Sequence, residues 1–151
     1  MKFFRNMYQK SKEQKGFTLV EMIVVLVIIA ILAAITIPAL LKYIDKARDK
    51  QVVINARTAY LAAETAASEA YAANKTIASG GSITFGKDSV ADANGFIENA
   101  ESLTGIEKTK YTCTVKFGDK WKITSVEYND LGKSKKATLD LTSSSTEWKV
   151  E

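Results

Sequence analysis

Lys15-Gly16-Phe17-Thr18-Leu19-Val20-Glu21-Met22-Ile23-Val24-Val25 opens an apolar run that continues to Leu41, broken only by Thr18, Glu21, Thr36 and Pro38. From Met22 to Ile35 no side chain is polar. As a helix rising ~1.5 Å per residue, Phe17–Leu41 spans roughly 37 Å, enough to cross a hydrocarbon core of about 30 Å. On the N-terminal side stand Lys2, Arg5, Lys10, Lys12 and Lys15 against Glu13 alone, an excess equal to the whole chain's net charge of +4. The remainder is therefore balanced, so the charge points to a targeting leader rather than to nucleic acid. The basic flank predicts an N-terminus on the cytoplasmic side and the bulk of the chain outside.

An ordinary cleaved signal peptide ends its apolar run in small residues. Here Leu32-Ala33-Ala34 is a poor site of that kind, and the run continues through Ile35, Ile37 and Leu40. A plain anchor fits the length but not Glu21. An acid at mid-bilayer costs about 2.5–3.5 kcal/mol on insertion scales, less toward the interface, so an acid so placed usually has a partner and a task.

Lys15 to Glu21, continued by Met22-Ile23-Val24-Val25 and Ile37-Pro38-Ala39-Leu40, resembles the class III signal of type IV pilins and pseudopilins. The resemblance covers about the first third of the chain. It implies cleavage after Gly16 by a membrane-embedded prepilin peptidase and N-methylation of the new terminus, Phe17. Gly16 lacks a side chain, so an extended backbone enters a protease cleft without steric penalty. The resemblance also implies that Glu21 pairs with the amino group of a neighbouring subunit's first residue during assembly. A carboxylate in an apolar filament core is costly alone and tolerable when paired. Pro38 removes one helical hydrogen bond and crowds the Ala34 carbonyl, and the resemblance implies a kink there. Ala30 stands where many members have glycine.

Beyond Ala39 the helical pattern continues to about Asn74. Val52, Ala56, Ala59, Ala63, Ala66 and Ala70 form one stripe, widened by Tyr60, Ala67 and Tyr71. The two halves together predict one helix of about 55 residues, roughly 80 Å long. A coiled-coil seam is the competing reading, but alanine-rich positions give little dimer stabilisation.

From Thr76 to Asp92 the chain reads as a polar loop, and Phe96, Ile97, Ala100 and Leu103 as a short helix ended by Gly105. Tyr111, Cys113, Val115 and Phe117 alternate as a strand. Trp121 and Ile123 start the next, with Val126 and Tyr128 off by one, which predicts a bulge. Asn129–Lys136 reads as a loop, Leu139 and Leu141 as a third strand, Trp148 and Val150 as a fourth. The expected fold is α+β: a long N-terminal helix on a small antiparallel sheet of three or four strands. Four segments follow: a basic leader at 1–16, a transmembrane and polymerisation helix at 17–41, an amphipathic helix at 42–75 and a globular head at 76–151.

Histidine is absent and Cys113 is the single cysteine, so neither a His-based catalytic constellation nor an internal disulfide can form. No phosphate-binding glycine loop or zinc pattern occurs, and no cofactor is called for. Ser143-Ser144-Ser145 reads as a loop. Asn129 with Asp130 lacks the acidic spacing of a calcium loop. Lys133, Lys135 and Lys136 read as a solvated turn, without the interleaved aromatics of a nucleic-acid surface. Many proteobacterial pilins close a C-terminal loop with two cysteines, and this departure resembles pilins of Gram-positive bacteria.

The reading is thus a structural subunit and not an enzyme. The resemblance implies that it polymerises with itself into a helical filament serving adhesion or twitching motility. Its other partners would be the prepilin peptidase, a platform protein and an assembly ATPase. The precursor would lie in the cytoplasmic membrane and the product in an extracellular pilus. A pseudopilin of type II secretion or DNA uptake shares every N-terminal residue and remains the alternative. A membrane-anchored enzyme or binding domain leaves Gly16 to Glu21 unexplained.

Overall fold

The computed structural model describes residues 16–77, 80–90, 92, 94–143 and 147–151. The basic residues of the leader, and Ser144 and Ser145, lie outside these. Helix α1 is Leu19–Ala72, 54 residues long, and is followed by β1 (Ser82–Gly86), α2 (Phe96–Thr104), β2 (Tyr111–Phe117), β3 (Ile123–Asp130), β4 (Lys135–Asp140) and β5 (Lys149–Val150). The chain divides into two compact units, residues 1–43 and 44–151.

In the second unit the strands form one antiparallel sheet in sequence order, β1-β2-β3-β4-β5. Register aligns Phe85, Cys113, Tyr128, Ala137 and Val150 across it, and beside them Ile83, Val115, Val126 and Leu139. Paired residues of an antiparallel sheet share a face, so these two rows make one apolar surface. Against it lie Val52, Ala56, Ala59, Ala63, Ala66, Ala67 and Ala70 of α1, all buried. Small side chains on the helix leave room for the large ones of the sheet, where Tyr111, Tyr128, Phe85 and Phe117 are fully enclosed together with Phe96 of α2. The Tyr111 and Tyr128 rings stack 5.6 Å apart. On the reverse face, Thr84 shares a hydrogen bond with Thr114 and Glu127 pairs with Lys136, leaving that side polar.

The expected stripe on α1 is the buried one, with two adjustments: Ala62 is also buried, and Tyr71, read as widening the stripe, is 53% exposed. The short helix ends at Gly105 as its sequence suggests, in the left-handed region at φ 62°. The bulge is real. Lys116 pairs with Ser125 but Phe117 with Ile123, which leaves Thr124 as the extra residue. Cys113 is buried in the middle of the sheet, and its surroundings push the thiol pKa well up, first through desolvation.

The structure corrects three details. The sheet has five strands rather than three or four, because Ser82–Gly86 pairs with β2 inside the segment 76–92 read as loop. Asn129–Lys136 is a much shorter turn, since β3 runs to Asp130 and β4 resumes at Lys135. Trp121 precedes its strand, lying in a 3-10 turn at Asp119–Trp121. There Lys120 and Trp121 hold positive φ in succession, 54° and 62°, costly for residues with a Cβ. The reason is the indole. It stacks on Phe96 at 5.8 Å, meets Phe117 edge-on at 5.4 Å and donates from Nε1 to the Lys75 carbonyl at 2.9 Å. The strained turn thus swings Trp121 into the core and ties the end of α1 to the sheet.

Because residues 44–151 carry this core themselves, a chain lacking residues 1–41 is expected to be soluble, monomeric and folded. Its circular dichroism should show mixed α and β content, and aggregation or a disordered spectrum would contradict the expectation.

Candidate functional site

Gly16, Phe17 and Thr18 precede the helix, which begins at Leu19. What holds the boundary there is Thr18. Its carbonyl accepts the first helical hydrogen bond, from Met22 N–H at 3.2 Å. Its N–H and hydroxyl both donate to Glu21 Oε2, at 2.8 and 2.7 Å, while Glu21 N–H donates back to Thr18 Oγ1 at 3.3 Å. This is a capping box, in which Thr at the N-cap and Glu three residues on satisfy each other's orphan donors. The carboxylate also complements the positive end of the helix macrodipole. Glu21 therefore has a partner within its own chain. Thr18-x-x-Glu21 stood in the sequence as the signal for it, but the sequence reading gave Thr18 no role.

Both Thr18 bonds end on Oε2, and no hydrogen bond to Oε1 occurs among the described residues. Glu21 is exposed, as is Phe17 at 74%. A Cβ built on Gly16 would meet nothing within 4 Å. Among the described residues, packing does not demand glycine at this position. Gly16, Phe17, Thr18 and Glu21 together line one shallow, open cleft.

Beyond Glu21 the helix passes through Pro38 without interruption. Just before it, the Thr36 hydroxyl donates to the Leu32 carbonyl at 2.9 Å. The large apolar side chains from Phe17 to Leu41 stand about half or more exposed, from Met22 and Val25 at 47% to Leu19 at 75%. An 18-residue window of this helix has mean hydropathy 3.1, and none of it is buried. So much contiguous apolar surface marks a membrane or a protein partner.

Elsewhere the remaining candidates are occupied locally. Lys133 pairs with Asp130, Lys135 with Asp49 of α1, and Lys136 with Glu127. Asp130 Oδ1 accepts the N–H groups of Gly132 and Lys133, and the Asn129 amide donates to Thr112. These side chains build the β3–β4 turn and fasten it to the helix.

Residues 11–37 match the family model described as the prokaryotic N-terminal methylation motif. The chain carries this motif at its N-terminal end. Fimbrial protein Q of Moraxella bovis is 55% identical over 40 residues, 26% of each chain. The type IV major alpha-pilin of the same organism is 54% identical over 39 residues, 26% of this chain and 24% of that one. The chain thus aligns with about a quarter of the length of the curated relatives it matches. No solved structure matches it. The resemblance read in the N-terminal third agrees with these matches, which cover about a quarter of the chain.

Proposed function

We infer that this chain is a prepilin, a structural subunit made in the membrane and polymerised through its apolar helix into a surface filament. The observation that carries the reading is the methylation motif seated on a helix whose apolar half is exposed on every side. Before assembly a bilayer covers that half, and in the filament the same half of other subunits covers it. The prepilin peptidase cuts between Gly16 and Phe17, ahead of the capped helix, and methylates Phe17. Glu21 then offers its carboxylate to the amine of the neighbouring subunit. Pro38 supplies the point at which the helix bends or loosens on packing. A platform protein and an ATPase drive addition. The precursor holds its N-terminus in the cytoplasm and its head outside. No catalytic role is assigned to the chain.

Electron microscopy of cells with and without the gene tests the reading. Surface filaments that vanish on deletion, return on complementation and contain this chain support it. Filaments unchanged in its absence overturn the structural role.

A further inference from the structure

Immediately past the apolar run, α1 carries Lys42-Tyr43-Ile44-Asp45-Lys46-Ala47-Arg48-Asp49-Lys50. The charged side chains here fall into two groups. Asp45 pairs with Arg48 at 3.6 Å, and Asp49 pairs with Lys135 at 2.5 Å. Lys42, Lys46 and Lys50 are exposed and have no ion-pair partner among the described residues. Successive spacing of four puts these three on one helical face. Both acids nearby are engaged, so the lysines form an uncompensated cationic column.

We propose that this column docks on the phosphate groups of anionic lipids at the bilayer face where the apolar run ends. The proposal rests on the membrane-spanning reading of residues 17–41. Position argues for lipid. Helical rise places Lys46 ~7.5 Å and Lys50 ~13.5 Å beyond Leu41, while the headgroup layer extends about 5–8 Å from the hydrocarbon edge. Lys42 and Lys46 thus lie at phosphate depth. The Lys50 side chain reaches back toward the surface and stays within a Debye length of roughly 8–10 Å. Tyr43, 71% exposed beside Lys42, is the amphipathic aromatic that favours this interface. The lipid contact would hold the precursor at a fixed depth until it is extracted into a filament.

The test uses the full chain reconstituted in phosphatidylcholine bilayers containing trace spin-labelled phosphatidylglycerol or spin-labelled phosphatidylcholine. The motionally restricted fraction of each label gives their relative affinity for the protein. Wild type is expected to favour phosphatidylglycerol about fivefold or more, falling at least about twofold in Lys42→Gln/Lys46→Gln/Lys50→Gln and by most of that factor in 1 M salt. The head variant Lys87→Gln/Lys108→Gln/Lys122→Gln, with the same change of charge, should keep the preference. The leader's lysines contribute equally to every sample. An unchanged preference in the column variant, or an equal fall in the head variant, overturns the proposal. So does loss of chain–chain crosslinking with lipid preference intact, which would assign the column to acids of a second copy. Alkaline extraction of the same samples separates the two readings. A chain released from the bilayer sinks the membrane span itself, whereas a retained chain without lipid preference sinks only the docking column.

Discussion

Glu21→Ala is expected to leave synthesis, membrane insertion and cleavage largely intact while sharply reducing filament assembly. Losing the acid only increases the hydrophobicity of the span, so the bilayer should hold it at least as well. What disappears, on the proposed pairing, is the partner of a neighbouring subunit's cationic amine. Breaking a buried pair from one side costs about 3–5 kcal/mol, and each added subunit would meet that penalty. The capping box demands a control, because Ala also removes the bonds from Thr18 to Oε2. Loss of one side of a cap costs about 1 kcal/mol, too little to account for the larger effect. Glu21→Gln separates the two roles. Glutamine serves at this position of a capping box but carries no charge. Quantified surface filaments should be nearly as scarce for Gln as for Ala. Normal filaments with Gln and few with Ala would make Glu21 a helix cap and no more.

The largest single loss of stability in the head is expected from Gly86→Ala. Gly86 ends β1 at φ +104°, a backbone region that side chains rarely enter, and an added Cβ would fall 2.4 Å from the Tyr111 carbonyl oxygen. That oxygen accepts the Lys87 N–H at 2.8 Å, so relief of the clash breaks a bond that joins the first two strands. Strain and clash together should cost about 3 kcal/mol or more, read from urea unfolding of the head. Gly105→Ala is the comparison, at φ +62° with nothing within 4 Å of its added Cβ. It should lose only the left-handed penalty of about 1–2 kcal/mol. Equal losses at the two positions would show that the contact with Tyr111 is unimportant.

Much of the head was legible because its periodicities are long. The alanine stripe of α1 repeats over five turns, and Tyr111 to Phe117 alternates without error. The bulge at Thr124 showed as a slip between Ile123 and Val126. Strand β1 was not legible for the converse reason. Ser82-Ile83-Thr84-Phe85-Gly86 offers only two apolar positions, between Gly80-Gly81 and Lys87-Asp88, and its pairing with β2 is decided by tertiary contact. The turn at Lys120 and Trp121 contains neither glycine nor asparagine at its left-handed positions. Only the aromatic packing of Trp121 against Phe96 and Phe117 explains it. At the N-terminus Thr18 and Glu21 stand three apart, the spacing of a capping box, inside a motif whose more conspicuous feature is the acid.

Processing sets where the mature chain begins, and N-terminal mass spectrometry of the protein recovered from the cell surface measures that directly. A chain starting at Phe17, with a methyl group on its amine, is the expected result. An intact Met1, or a start anywhere after Ala34, would contradict it.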